Sequence, residues 1–200
     1  MLMCSAVGCG ADKSNSSSTS ESKSDSSLSE ASTGSFDWNE VKNDITLDGK
    51  KIDFPFSVND LGEGYKMKYI YDSAFGDKSC SGEVVMINPD GSESTSCYLI
   101  FDDLTADEYN DDVKCSSISN PKDLSVQGIG EGSSLEEAEK IFGKPYKKDE
   151  IFAFYLSTTG NERIELKYDT ETDKVKTVYI TLNFKELEAK IHKEGDINEK

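Results

Sequence analysis

The chain has 200 residues, with 39 Asp and Glu against 22 Lys and Arg, a formal net charge of -17 and a single histidine. Such a field repels phosphate backbones and anionic lipid headgroups, so neither nucleic acid nor direct adsorption to a membrane surface is an expected partner mode. No apolar run approaches the roughly eighteen residues that a bilayer-spanning helix needs. Setting aside a serine-rich front section leaves roughly 165 residues, enough to bury about 70% of the unfolded chain's surface in one or two small domains. Most of the negative charge lies after Phe36, because the acids and lysines of the front section nearly balance.

Residues 1–9 form a short run of apolar and small residues that ends on a cysteine, with Ala6-Val7-Gly8 directly before Cys9. This resembles the end of a bacterial lipoprotein signal, in which a small residue precedes the cysteine to be acylated. The resemblance implies lipidation of Cys9, a start upstream of Met1 or a trimmed chain, and an extracytoplasmic protein held to the cell membrane by its N-terminal lipid. Cys4 fits less well, because bulky Met3 precedes it. Residues 10–36 are dominated by serine, with Leu28 the only large apolar residue between Ala11 and Ser35. Such a composition cannot build a core and reads as a disordered tether of about 25–30 Å root-mean-square reach.

A first α+β module is expected over 37–125. Ile45-Thr46-Leu47 and Lys51-Ile52-Asp53-Phe54 flank Asp48-Gly49, a tight-turn signal that predicts a hairpin. Ser57-Val58-Asn59-Asp60-Leu61 predicts a short capped helix stopped by Gly62 or Gly64. Strands are expected at Lys66–Tyr71, Glu83–Asn88 and Thr95–Phe101, with a further one at Val113–Ile118. If Pro89-Asp90-Gly91-Ser92 turns the second of these into the third, Cys97 stands opposite about Val84 and Cys80 lies about four residues out of register, too far for a bridge. Two arrangements stay open for Cys80, Cys97 and Cys115: a Cys97–Cys115 disulfide between successive strands, or three separate thiols.

A second α+β module is expected over 126–200. Ser134 and Glu137 make a capping box, Leu135, Ala138, Ile141 and Phe142 share one face, and Gly143 with Pro145 ends the helix. Strands follow at Ile151–Ser157, Arg163–Tyr168 and Val175–Leu182, and an amphipathic helix at Phe184–His192 closes the chain. Both halves run capped helix, glycine, aromatic-rich strand and antiparallel strands, the order of a degenerate tandem repeat. The fold class is therefore α+β, with antiparallel sheet and short helices packed on one face.

The stretch from Gly128 to Pro145, with its Ser, paired acids and Phe-Gly-Lys-Pro ahead of three strands, resembles the helix-then-meander module of β-lactamase-inhibitor-protein-like domains and of small lipoproteins of outer-membrane assembly. The first half matches in outline and is similar to Gram-positive lipoproteins that enter their helix through Ser-Val-Asn-Asp-Leu. The resemblance implies a tandem module that presents a sheet face for protein contact and performs no catalysis.

Catalytic chemistry has few carriers. His192 is the only histidine and falls in the polar terminal helix, so a Ser-His-Asp or Cys-His arrangement lacks a base, and no second His or Cys-x-x-Cys supplies a zinc set. Gly128-Ile129-Gly130-Glu131-Gly132 has the wrong spacing for a phosphate-binding turn and places Glu131 against the anion. Asp102, Asp103, Asp107, Glu108, Asp111 and Asp112 read as a solvated acidic loop that lacks the spacing and central glycine of a calcium loop. No catalytic residue, metal or cofactor is assigned. What remains is a face: Ile164, Leu166, Tyr168, Val178, Ile180 and Leu182 point inward in one register, leaving Arg163, Glu165, Lys167, Thr177, Tyr179 and Thr181 outward, with Tyr155 and Ala153 expected to join them. Tyr155, Arg163, Lys167 and Tyr179 are the candidate binding residues. An adaptor predicts a broad open sheet there; a glycan or small-ligand sensor predicts an aromatic-lined cleft between the halves.

Overall fold

In the computed structural model, which describes residues 36–74 and 78–185, the chain runs α1 (Trp38–Val41), β1 (Ile45–Leu47), β2 (Lys50–Ile52), α2 (Val58–Leu61), β3 (Tyr65–Asp72), β4 (Ser79–Ile87), β5 (Glu93–Asp102), a 3-10 turn at Ala106–Glu108, β6 (Ser117–Ser119), β7 (Leu124–Val126), α3 (Leu135–Phe142), β8 (Lys147–Lys148), β9 (Phe152–Leu156), β10 (Arg163–Tyr168) and β11 (Val175–Thr181). The class is α+β. Eight strands form one antiparallel sheet in the order β3-β4-β5-β6-β11-β10-β9-β8, and a smaller sheet has the order β2-β1-β7.

Local chemistry sets the first elements. Asp48 and Gly49 both take positive φ, 50° and 74°, and close β1 onto β2 with Leu47 paired to Lys50; the primed turn this makes matches the twist of the two strands. Ser57 and Asp60 satisfy each other's backbone N–H in a reciprocal cap, as do Ser134 and Glu137, so both helices start where their capping boxes stand. Gly62 and Gly143, at φ 86° and 77°, stop them. Within α3, Leu135, Ala138 and Phe142 are buried, whereas Ile141 is 44% exposed and does not join the core face. It lines a hollow of about 260 Å³ with Ile129, Gln127 and Lys140 instead.

The two stretches build one core. α2 leads into the β3-β4-β5 meander and α3 into the β9-β10-β11 meander, and β6 joins the meanders at the middle of the sheet. Alternate residues of each meander point to the same side: Val84, Cys97, Leu99 and Phe101 from the first, Ile164, Leu166, Val178 and Ile180 from the second, all buried. Trp38, Val41, Val58, Leu61, Leu135 and Phe142 of the helices and Ile45, Leu47, Ile52, Leu124 and Val126 of the smaller sheet belong to the same apolar cluster. The helices and the small sheet therefore cover the inward side of the large sheet. Leaving those side chains exposed instead would cost roughly 1.5–3 kcal/mol for each large one.

Several boundaries differ from expectation. The strand expected at 113–118 is confined to Ser117–Ser119, because Cys115 donates to the Phe56 carbonyl outside the sheet and the chain meets β5 only where Ser116 donates to the Ile100 carbonyl. α1, β7 and β8 are too short to show periodicity. Phe184 and Lys185 begin a helical turn; the rest of the helix expected to His192, with His192 itself, lies outside the described residues, as do Cys9 and the tether at 10–35. Cys80, Cys97 and Cys115 are three free, buried thiols rather than a disulfide with one left over. The expected register holds, with Cys97 opposite Val84 and Cys80 opposite Phe101.

Candidate functional site: the outward face of the large sheet

Pairing fixes which side chains share the outward face. Arg163 stands opposite Thr181 on β11 and opposite Leu156 on β9; Glu165 stands between Tyr179 and Phe154; Lys167 stands between Thr177 and Phe152. Because opposed residues of an antiparallel pair point to the same side, the outward set of this half is Phe152, Phe154, Leu156, Arg163, Glu165, Lys167, Thr177, Tyr179 and Thr181. Lys147 joins it through its pairing with Phe154. Across β6 the face continues through Ser119 to Tyr98 and through Ser117 to Ile100.

Of the four expected binding residues, the structure brings Arg163, Lys167 and Tyr179 together on this face and removes Tyr155. Tyr155 is opposite Ile164, Ala153 is opposite Leu166, and both are buried on the inward side at 0% and 1% exposure. The cause is the loop between β9 and β10. Ser157 and Glu162 close it with the Ser157 N–H donating to the Glu162 carbonyl, while the Ser157 and Thr159 hydroxyls both donate to the Glu162 carboxylate. That six-residue loop sets Leu156 against Arg163; a loop one residue shorter would have turned Tyr155 outward. In Phe152-Ala153-Phe154-Tyr155-Leu156 every residue is apolar or aromatic, so alternation gives no mark of which face is which. Phe152 and Phe154 are thus the aromatic residues that the sequence reading missed, and the Ser-x-Thr-x-x-Glu loop was the signal.

The outward aromatics touch one another. Phe152 lies 5.9 Å from Phe154 and 6.0 Å from Tyr179 between ring centroids, and Tyr146 lies 6.3 Å from Phe154. Cations flank them: the Lys147 ammonium is 5.5 Å from the centre of Phe154, and the Arg163 guanidinium is 5.8 Å from Phe154 and 4.1 Å from Phe184. Arg163 also pairs with Glu165. A guanidinium between a carboxylate and two rings is held more rigidly than a free lysine. Partial burial pushes the Tyr179 hydroxyl above its usual pKa, so it remains a neutral donor and acceptor. Phe184 packs over one end of the face.

Among the described residues no three His, Cys, Asp or Glu side chains come together as a metal-ligand group. The acidic loop is engaged internally: Tyr109 donates to Asp111, Asn59 to Asp112, and Lys78 pairs with Glu108. A hollow of about 250 Å³ lined by Lys51, Ile52, Asp53, Asp60 and Lys114 lies in the first half, and that of Ile129 and Ile141 begins at Gln127; neither is lined by an aromatic residue. Gly128 to Gly132 forms a turn in which the Val126 and Ile129 backbones bond reciprocally. No helix of the described residues is long and apolar enough to cross a membrane. No protein-family model, no curated protein and no solved structure matches this chain.

Proposed function

We propose that this chain is a lipid-anchored, non-enzymatic adaptor on the outer side of a cell membrane. In this reading acylated Cys9 holds it there, the serine-rich segment spaces it from the bilayer, and the outward sheet face around Tyr179 contacts a protein partner. The resemblance to β-lactamase-inhibitor-protein-like and small envelope lipoproteins, carried by Gly128–Pro145, supports the same reading. So does the tandem order of capped helix and meander in each half.

The observation that carries it is the outward face itself. Phe152, Phe154, Tyr179 and Tyr98 lie on one side of a broad sheet whose helices α1, α2 and α3 cover the other side, with Phe184 over one end of the face. Aromatics with flanking cations are the side chains that dominate protein interfaces. A sensor for a small ligand needs a concave, largely apolar site, whereas the first hollow is lined mainly by Lys51, Asp53, Asp60 and Lys114 and neither hollow has an aromatic residue in its lining.

Two measurements test the reading. In fractionated cells, Cys9→Ala is expected to move the chain from the membrane fraction to the medium or soluble fraction; persistence in the membrane would sink the anchoring idea. On intact cells, cross-linking of the anchored wild type is expected to give a reproducible protein adduct that Phe152→Ser with Tyr179→Ser abolishes. An adduct pattern unchanged by that pair would remove the sheet face from the proposal.

A further inference from the structure

We infer that the β8–β11 half of the outward face docks an acidic polypeptide surface of the partner, an inference that rests on the adaptor reading and narrows it. Its basis is a charge reversal on one part of a strongly acidic chain. The outward residues of β8 to β11 carry three cations, Lys147, Arg163 and Lys167, and one carboxylate, Glu165, which Arg163 already holds. Among the described residues neither Lys147 nor Lys167 has a salt-bridge partner. The other half of the same face is different: Lys66 and Lys68 are both spent on Glu93, and Glu83 accepts from Thr95.

A chain with net charge -17 repels an acidic partner from most directions, so a cationic platform on it is a side that such a partner can approach. That arrangement selects orientation as well as partner, since like-charge contacts everywhere else penalise wrong docking. Phe152 and Phe154 on β9 lie between the strands that carry these two lysines, and Tyr179 lies on β11 beyond Lys167, apolar surface that a partner buries once the charges have aligned it. Aromatic centre and charged flank are the usual division of labour in an interface.

The ring geometry favours polypeptide over an anionic glycan. Sugars stack flat on open aromatic faces, whereas the ring planes here differ by 56° at Phe152–Tyr179, 58° at Tyr146–Phe154 and 30° at Phe152–Phe154, so the touching rings make no single flat platform. Phe154 moreover has cations at both Lys147 and Arg163. The surface is corrugated and studded, suited to side chains that interdigitate.

The test uses the full-length, lipidated chain on intact cells with a photo-cross-linking amino acid at Thr177, which stands opposite Lys167 on the outward face. Adducts are mapped to the partner peptide in three backgrounds: the unaltered face, Lys147→Glu with Lys167→Glu, and Lys51→Glu with Lys114→Glu. The last pair changes net charge equally, away from the face. The expected result is a polypeptide adduct whose mapped segment is rich in Asp and Glu. Its yield should fall at least about tenfold with the first charge-reversed pair and less than about twofold with the second. Lysines placed at two of the mapped acids should restore the adduct to the Lys147→Glu, Lys167→Glu chain. An equal yield in all three backgrounds, or a neutral or basic mapped segment, would overturn the acidic-partner inference and leave the sheet-face adaptor standing. Adducts to glycan or lipid, or none from Thr177 in a chain whose core thiols remain protected, would overturn both.

Discussion

The ring of Phe142 on α3 meets the ring of Tyr155 on β9 at 5.4 Å between centroids, and the Tyr155 hydroxyl, buried in the core beside that contact, finds no hydrogen-bond partner among the described residues. The ring is anchored by packing and the oxygen is a cost. Burial also pushes the hydroxyl well above the usual tyrosine pKa, so it stays neutral over the working pH range. Tyr155→Phe is therefore expected to stabilise the fold by about 1 kcal/mol, because it deletes a buried unpaired polar atom and keeps the ring. Thermal unfolding should show a rise of about 2–4 °C. A fall in the midpoint would mean that the hydroxyl has a native partner, and the same variant leaves the outward face untouched.

Acid stability has one clearly placed contributor. Asp169 accepts from the Glu171 and Thr172 backbone N–H groups and the Thr172 hydroxyl, and pairs with Lys176 at 2.7 Å. The Lys176 pair and these hydrogen bonds hold its carboxyl down at about 2, against an ordinary 3.8. A carboxylate depressed in the folded state gives stability that is fully present above its unfolded pKa and lost as pH falls through the folded one. The Asp169 share is therefore expected to disappear between about pH 4 and pH 2. Urea midpoints measured across that window should fall less steeply in Asp169→Asn than in the parent. Parallel slopes would show that the β10–β11 turn does not contribute.

These two residues mark where the sequence was legible and where it was not. Capping boxes at Ser57 and Ser134, the Asp48-Gly49 turn and the polar-apolar alternation of β10 and β11 are local signals, and each element they predict is present with nearly the expected limits. The facing of β9 is not local. It depends on the hydrogen-bonded loop from Ser157 to Glu162, and an all-apolar strand carries no label of its own, so Tyr155 faces inward against expectation. β7 and β8 depend on partners: three residues opposite β1, and two opposite β9. Three members of the candidate site were readable because β10 and β11 alternate. Phe152, Phe154 and Lys147 were not, because their side is inherited through pairing.

The three core thiols give a sharp test of packing. Cys80, Cys97 and Cys115 are each 1% exposed or less, and burial raises their pKa values, that of Cys115 to about 12. A thiol reacts with alkylating or disulfide reagents as the thiolate and only when reached by solvent. In a Cys4→Ser, Cys9→Ser chain, native protein at neutral pH is expected to show essentially no reaction with a thiol-disulfide reagent, and denatured protein three equivalents. Rapid native reaction at Cys97 or Cys115 would mean that the middle of the large sheet opens. Fewer than three thiols after denaturation without reductant would mean that a disulfide forms.

The start of α3 offers the most direct test of how the second half is built. Ser134 accepts from the Glu137 N–H, and the Glu137 carboxylate accepts from the Ser134 N–H at 2.7 Å and its hydroxyl at 2.8 Å. Two of these three hydrogen bonds satisfy backbone donors that the helix itself leaves free and the third ties the two side chains together, and the helix they start lays Leu135, Ala138 and Phe142 against the sheet. Ser134→Ala removes the cap and is expected to cost about 1 kcal/mol, while Ser134→Asp, which accepts the same backbone N–H, should recover most of it. The Ser134 bonds also hold the Glu137 carboxyl below its ordinary pKa, so this contribution is present above about pH 4.5 and is lost as pH falls further. Urea unfolding at neutral pH and again near pH 3 should accordingly show a smaller penalty for Ser134→Ala at the lower pH. An equal penalty at both would assign the loss to the serine hydroxyl alone and detach the Glu137 carboxylate from the stability of the helix.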